Sequence, residues 1–574
     1  MNYRYLFILF CFIFSGKPVA AVPACPYPIH YVQPDGSIIT LRLYGDEKFH
    51  YATDMEGNRL QMNENGFYIN TYSKVIPDRS SSSLAPQSSA FLSGNLLRAG
   101  DDTAGSQNKF LVILVNFVNA NGKFITEKAV FENMLNQAGY NDDDGGATGS
   151  ARDYFADNSF GQFIPAFDVV GPYNLANIMA YYGAEKGGSH DIRPRDMIIE
   201  ACQLADADGV DFSQYDLNHD GIVDHVCVVY AGYNQAEGGG DDTIWPHEWA
   251  LNTNLTLDGV RIYTYSCSSE LQGNRGIRHA QIGTFCHEFC HALGLPDLYD
   301  TGGENAFTPG TYAVMDQGSY NNKSRTPPFL SSFERQMLGW HQSTRLAQTQ
   351  SLTIEHALQS NTSYWFPTRL ESGESNDEEI FIIENRQKAG WDTYIPGHGL
   401  AIWHIDRNDN VIGRWNGNTL NNDPDHLCFD LLEADDVRDY ASVSDDLFPA
   451  GALNKNLFDD STSPNSKSWA GIPSRVSLKE IDENDGIITA VFTEQLTKIP
   501  ERIGQITCSV ENRNIRIQNL QEQTKIELFG ISGMKRYNNL TNDTHCLVTV
   551  KESGCYILKI SSGKEILIKK VLIQ

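Results

Sequence analysis

The stretch Thr284 to Asp300 reads TFCHEFCHALGLPDLYD, and its residue types suit metal-assisted hydrolysis. It holds His287-Glu288-x-x-His291, then Gly294, then Asp297. On an α-helix, residues four apart lie one turn above each other, so the two His share a face and can share one metal ion. Glu288 adjoins the first ligand, near enough to reach a metal-bound water without being a ligand itself. Zinc lowers the pKa of that water towards ~7, and the carboxylate takes its proton as it attacks a peptide carbonyl. Gly294 tolerates the left-handed conformation of a helix stop, so the chain can turn sharply. That turn brings Asp297 round as a third ligand and leaves the fourth tetrahedral position for water.

HExxH alone can arise on an ordinary solvated helix, whereas HExxHxxGxxD is a much sharper pattern. Downstream, Tyr312-Ala-Val-Met315-Asp-Gln-Gly318 could form the tight Met-bearing turn found beneath the zinc in metzincin proteases. The segment resembles the secreted immune inhibitor A type of metalloprotease, which carries Asp where many metzincins have a third His. Some relatives have an acidic residue directly after that Asp. This chain has Leu298, which leaves Asp297 as the natural third ligand and Asp300 as the fallback. The resemblance implies a secreted zinc endopeptidase, made as a zymogen and acting on extracellular proteins and peptides. A competing reading is a surface adhesin or binding protein that keeps the protease fold. The intact set of His287, Glu288, His291 and Asp297 argues against it, because a binding scaffold needs no general base beside its metal. A non-peptidase zinc hydrolase has no supporting motif.

A second oxygen-rich pattern is Asp216-Leu-Asn-His-Asp-Gly-Ile-Val-Asp224. Asp216, Asn218, Asp220 and Asp224, with the Ile222 carbonyl, offer the hard oxygens that calcium takes in a tight loop. Cys227 stands where an EF-hand carries Glu, and a strand follows, so a structural calcium loop without that fold is expected. An ion-free acidic turn is the plain alternative. Trp245-Pro-His247-Glu248 could line a cleft, with His247 not taken as a zinc ligand. Tyr320 is the candidate for oxyanion stabilisation, five residues after Met315, where metzincins using a Tyr switch have it two after.

These groups need a scaffold, and 574 residues imply about three to five modules. The net charge of −28, from 44 basic and 72 acidic residues, argues against a nucleic-acid partner. No internal apolar run is long enough to span a bilayer. The fold class expected is multidomain α+β: an α/β metzincin-like catalytic domain, a small β-rich propeptide before it and β-sandwich-like modules after it. Residues 1–21 read as a secretory signal, with Arg4, an apolar run from Leu6 to Phe14, and Val19-Ala20-Ala21 for cleavage. Val22-Pro-Ala-Cys25 also faintly resembles a lipoprotein cleavage site, which would anchor the protein instead.

Residues 22–78 read as hairpins, and their QPDGS stretch and Tyr44-Gly-Asp-Glu47 resemble the propeptide of the same protease family, which should block the zinc site. Leu43-Tyr44-Gly45-Asp46 looks like the element by which some metzincin propeptides set an Asp on the zinc. The alternative is a turn with an exposed Asp46. Residues 79–107 form a Ser-rich linker suited to activating cleavage. Residues 108–350 form the catalytic domain: a buried strand at Phe110–Phe117, helices near 127–137, 150–157 and 194–207, a strand at 225–230, and a closing helix over Ser332–Trp340. Residues 351–494 form the β-sandwich-like accessory module, in which Glu384-Asn-Arg-Gln387, Gly397-His-Gly-Leu400 and Trp403-His-Ile-Asp406 recur in the family. Residues 495–574 resemble a type IX secretion sorting domain, which implies the outer-membrane secretion machinery as a partner and a secreted or outer-surface location. Cys11 leaves with the signal and an even ten cysteines remain. Cys286 and Cys290 face away from the ligand His and belong to the core, whereas Cys508, Cys546 and Cys555 could include a disulfide pair.

Overall fold

The computed structural model describes residues 20–71, 108–494 and 506–573, apart from 64, 143–144, 186–190, 304–305, 512, 521–522, 531–533 and 563–564. Most of the expected leader and all of the Ser-rich linker therefore lie outside the described residues. The chain divides into two compact units, Met1–Glu494 and Gln495–Gln574.

The first unit is built on a six-stranded sheet in the order Ala20–Ala21, His247–Leu257, Val260–Ser269, Val226–Tyr230, Asn108–Asn116, Pro165–Asn174. The last four strands run parallel, and His247–Leu257 lies antiparallel beside them. Strands covered on both faces read as unbroken apolar runs. The run from Phe110 to Val115 does so because its alternate residues serve two cores. Phe110, Val112 and Leu114 face one, and Leu111, Ile113 and Val115 the other.

The second core is closed by the helix Pro194–Ala207 through Met197, Ile198, Ala201, Cys202 and Ala205. The first is closed by Lys128–Asn136, Ala151–Asn158 and Ile282–Ala292. Ser150 caps the second of these with a capping box, its hydroxyl taking the Asp153 amide while Asp153 takes the amide of Ser150. The closing helix is shorter than the sequence suggests, Ser332–Met337.

The accessory part holds a five-stranded and a four-stranded sheet, and Phe366, Phe381, Ile383, Leu400 and Ile402 point from the first into the core between them. The opposite face of the five-stranded sheet, with Ile380, Ile382, Ala401, Trp403 and Ile405, joins the core that contains Phe289 and Met315. Its middle sheet is thus buried on both sides, and the parts before and after about residue 350 share one apolar interior. Buried charges stitch the same seam. Arg386 donates two bonds of 2.6 Å to Asp392 and one of 2.8 Å to the Phe329 carbonyl, while Glu384 takes the amide and hydroxyl of Ser332 and the indole of Trp403. Paired and fully hydrogen-bonded in this way, these charges fix geometry more than they add stability.

The N-terminal module is a five-stranded antiparallel meander from Ile29–Val32 to Tyr68–Asn70. Its tightest turn needs Gly45, where φ is +97° and an added Cβ would stand 1.9 Å from the Phe49 carbonyl oxygen. The second unit is all β, with a three-stranded and a four-stranded sheet around Ile515, Ile517, Ile526, Leu528, Leu558 and Ile560. All ten described cysteines are free thiols, so the pair considered among Cys508, Cys546 and Cys555 is not formed. Among the described residues, no helix is long and apolar enough to cross a membrane.

Candidate metal centre

The helix Ile282–Ala292 carries HExxH through the middle of the first unit, with every one of its residues buried. Cys286 and Cys290 lie on its core side, fully buried, and burial pushes both thiols well above their usual range. The helix stops where Gly294 takes φ +105°, and the Leu295 amide returns to the Cys290 carbonyl at 3.0 Å. This αL stop turns the chain back under the helix and delivers Asp297.

The Nε2 atoms of His287 and His291 and Oδ1 of Asp297 converge. The two nitrogens are 3.1 Å apart, and the oxygen lies 3.2 and 3.1 Å from them. The other ring nitrogen of each His has a partner that can only accept. His287 Nδ1 donates to the Val314 carbonyl at 2.7 Å and His291 Nδ1 to the Leu295 carbonyl at 2.8 Å. Each neutral ring therefore presents a lone pair from Nε2. Two lone pairs and a carboxylate oxygen, all buried and within 3.2 Å, repel unless a cation or proton sits among them. A tetrahedral zinc with ligands at ~2.0–2.1 Å would hold them ~3.3 Å apart, so the donor set fits zinc in type and spacing. Burial opposes a charged imidazole. It wins at His287, which is pushed down, whereas at His291 the Asp297 carboxylate outweighs it and pushes the value up. A metal ion here competes with that proton.

Asp297 is held from the accessory part. Asn418 Oδ1 accepts the Asp297 amide at 2.7 Å, and Asn418 Nδ2 donates to Asp297 Oδ2 at 2.5 Å. With Oδ2 engaged, Oδ1 is left as a buried atom with no hydrogen bond, turned to the two imidazoles. Asn418 itself is fully buried at φ +55°, a conformation Asn adopts more readily than most residues. Asn421 fastens the same loop by donating to the Leu298 carbonyl at 2.7 Å. The accessory part also steadies the Met-bearing turn. Tyr312 donates to the Val443 carbonyl at 2.6 Å and accepts the Gly397 amide at 2.8 Å. Met315 is buried in the core, and its carbonyl takes the Leu298 amide at 2.8 Å.

Glu288 is buried next to these three side chains. Its Oε1 accepts the Val22 amide at 2.9 Å, while Oε2 has no hydrogen-bond partner. Burial, then Asp297, pushes its carboxyl well up, and a bound cation acts the other way. The Val22 contact belongs to a segment that fills the cleft. Ala20 and Ala21 pair antiparallel with Glu248 and His247 on the edge strand. Beyond them, Tyr299 donates to the Ala21 carbonyl at 2.7 Å, Trp245 Nε1 to the Val22 carbonyl at 2.9 Å, and Tyr320 to the Pro23 carbonyl at 2.7 Å.

The remaining candidates lie as follows. Asp46 is buried rather than exposed, and its Oδ1 takes the amides of Lys48 and Phe49, each at 2.9 Å, to close the turn after Gly45. Its neighbour Glu47 is buried with both oxygens outside any hydrogen bond. Burial and then Asp46 push its carboxyl up to about 7, with Asp297 adding to the rise. Asp300 takes the amides of Gly302, Gly303 and Ala306 within its own loop. His247 is bound to the Trp245 carbonyl and the Tyr265 hydroxyl, away from the ligand set. In the 216–224 loop the oxygens serve loop amides: Asp216 takes those of Asp220 and Gly221, Asn218 that of Asp220, Asp220 that of Ile222, and Asp224 that of Leu217. Burial raises Asp224 to about 6.

Residues 102–345 match the family model of the Immune inhibitor A peptidase M6 catalytic domain. Immune inhibitor A of Bacillus thuringiensis subsp. alesti is 28% identical over 348 residues, covering 53% of this chain and 50% of that protein. The Pre-pro-metalloprotease PrtV of Vibrio cholerae serotype O1 (strain M66-2) is 27% identical over 237 residues, 36% of this chain and 25% of that protein. The chain thus spans half of one relative and a quarter of the other. These similarities support a metallopeptidase.

One consequence of the Asn418 contacts can be measured directly. Asn418→Ala leaves Asp297 free to rotate, and outer-shell losses of this kind typically weaken metal binding by about 10–100-fold. Chelator competition should show that drop in zinc affinity with the far-ultraviolet spectrum unchanged. Unaltered affinity would mean that Asp297 needs no such hold.

Proposed function

We propose that this chain is a zinc-dependent endopeptidase, made as a zymogen and acting on extracellular proteins. The observation that carries the reading is the convergence of His287 Nε2, His291 Nε2 and Asp297 Oδ1 beside the uncommitted Oε2 of Glu288. Zinc, when bound by these three, supplies Lewis acidity, polarising a carbonyl oxygen and acidifying water. Glu288 acts as the base, taking a proton from the attacking water and passing it to the amide nitrogen as the C–N bond breaks. Its Oε1 is already placed against a backbone N–H, that of Val22. An extended substrate adds as an antiparallel strand along His247–Leu257, the edge that Ala20–Ala21 now covers.

Removal of a leader of residues 1–21 would take Ala20–Ala21 off the edge strand, so latency after export rests on Val22–Cys25. These lie across the centre, with the Ala24 amide bound to Gly45 and the Cys25 amide to Ala236, so the N-terminal module holds its own leading segment in the cleft. In this reading the module is the inhibitor and cleavage in the 79–107 linker releases it. The 216–224 loop serves as a structural calcium site. The C-terminal unit is read as the address for outer-membrane secretion, giving a secreted or outer-surface protein.

Glu288→Ala should keep about one zinc per chain while casein hydrolysis falls by about 10²–10⁴-fold. Equal activity in the variant removes Glu288 from its role, and zinc-loaded protein that cuts no unfolded substrate favours a binding protein instead. Deleting residues up to Cys25 from the full-length chain should raise its basal hydrolysis of a quenched peptide; an unchanged low rate would place latency elsewhere. Free calcium at a hundred times its Kd should stabilise the protein by about 2.7 kcal/mol. Asp216→Ala should abolish the matching rise in Tm, and no rise in the wild type would retire the calcium assignment.

A further inference from the structure

We propose that Tyr299 is a catalytic residue, the donor that stabilises the oxyanion during peptide hydrolysis, and that Tyr320 binds substrate backbone further along the cleft. This rests on the peptidase reading above. The segment in the cleft presents one peptide group, Ala21–Val22, to the centre in the layout that hydrolysis requires. Its N–H meets Glu288 Oε1 at 2.9 Å and its carbonyl oxygen meets the Tyr299 hydroxyl at 2.7 Å. A useful oxyanion donor stands ~2.7–3.1 Å from the oxygen that gains charge, and a proton carrier must reach the leaving nitrogen. Here one peptide bond satisfies both at once.

The register is fixed on either side. Ala20 and Ala21 pair with Glu248 and His247, and the next two carbonyls are each gripped by a side chain, Val22 by Trp245 and Pro23 by Tyr320. Tyr320 therefore serves a carbonyl two residues beyond the one at Tyr299. That carbonyl gains no charge in the reaction, so its bond holds ground state and transition state alike.

The chemistry balances with these groups. Water adds its oxygen to the carbonyl carbon, and its proton passes to Glu288. The C=O π pair moves onto the oxygen, where the Tyr299 hydroxyl donates. That pair then re-forms C=O, the C–N bond breaks, and Glu288 returns the proton to the leaving nitrogen, giving a carboxylic acid and an amine. Tyr299 ends as it began. Its ring is buried on the loop that carries Asp297, and its hydroxyl already donates to the Ala21 carbonyl.

The test uses full-length zinc-loaded protein nicked by trypsin in the linker, at Arg79 or Arg98, with a quenched peptide substrate. Tyr299→Phe should lower kcat by about 10²–10³-fold, with KM and zinc content nearly unchanged. Its affinity for a phosphinate peptide, which mimics the tetrahedral state, should fall by a similar factor while affinity for a product peptide holds. Tyr320→Phe should raise KM and leave kcat nearly unchanged. An active wild type, an inactive Glu288→Ala and an unimpaired Tyr299→Phe would overturn this proposal alone. Equal losses of phosphinate and product binding would do the same, reducing Tyr299 to a clamp on the N-terminal segment. A wild type without hydrolysis overturns the peptidase reading and this proposal with it.

Discussion

Three electron-rich atoms forced together in a dry interior are the constraint on which the first unit depends. His287 Nε2, His291 Nε2 and Asp297 Oδ1 stand within 3.2 Å of one another. The chain holds them there with bonds made behind each side chain. The Val314 and Leu295 carbonyls set the tautomers, and Asn418 takes the spare carboxylate oxygen. Remove the cation or proton that belongs among them and the cluster is a stored repulsion; supply it, and the same bonds become preorganisation.

That preorganisation is shared between parts of the chain that look separable by sequence. The helix and its αL stop supply His287, His291 and Asp297. The Met-bearing turn orients the first of them, and the accessory part fixes the third and buttresses the turn through Tyr312. The common core around Phe289, Ile382 and Trp403 makes this arrangement rigid, because close-packed interiors transmit displacement instead of absorbing it. The second unit has its own core, around Ile526 and Ile560.

What could be read from sequence follows the range of the interactions. His287, Glu288, His291, Gly294 and Asp297 are legible because helical spacing and one left-handed turn relate them, all within 11 residues. The strand at Phe110 is legible because double burial leaves an unbroken apolar run, and the Ser150 cap because its partner is three residues away. Asn418 was not legible. It lies 121 residues beyond Asp297, and nothing local distinguishes it from Asn416, Asn421 and Asn422 in the same stretch. Tyr299 carries no local signal although it stands two residues past Asp297, since only the segment in the cleft shows which carbonyl its hydroxyl meets. Around Gly45 the sequence suggested two roles for Asp46. The hydrogen bonds put its carboxylate in the turn and leave Glu47 as the buried carboxylate without a hydrogen bond.

The grip of Asn418 on Asp297 also has a temporal meaning. A polypeptide is made, and often exported, from its N-terminus. The HExxH helix emerges with its third ligand still loosely tethered, and the residue that holds that ligand arrives 121 positions later. Before that helix is even made, Val22, Pro23 and the N-terminal meander are already present. Order of synthesis therefore places the segment packed over this cluster ahead of it, and the Asn418 brace well behind His287.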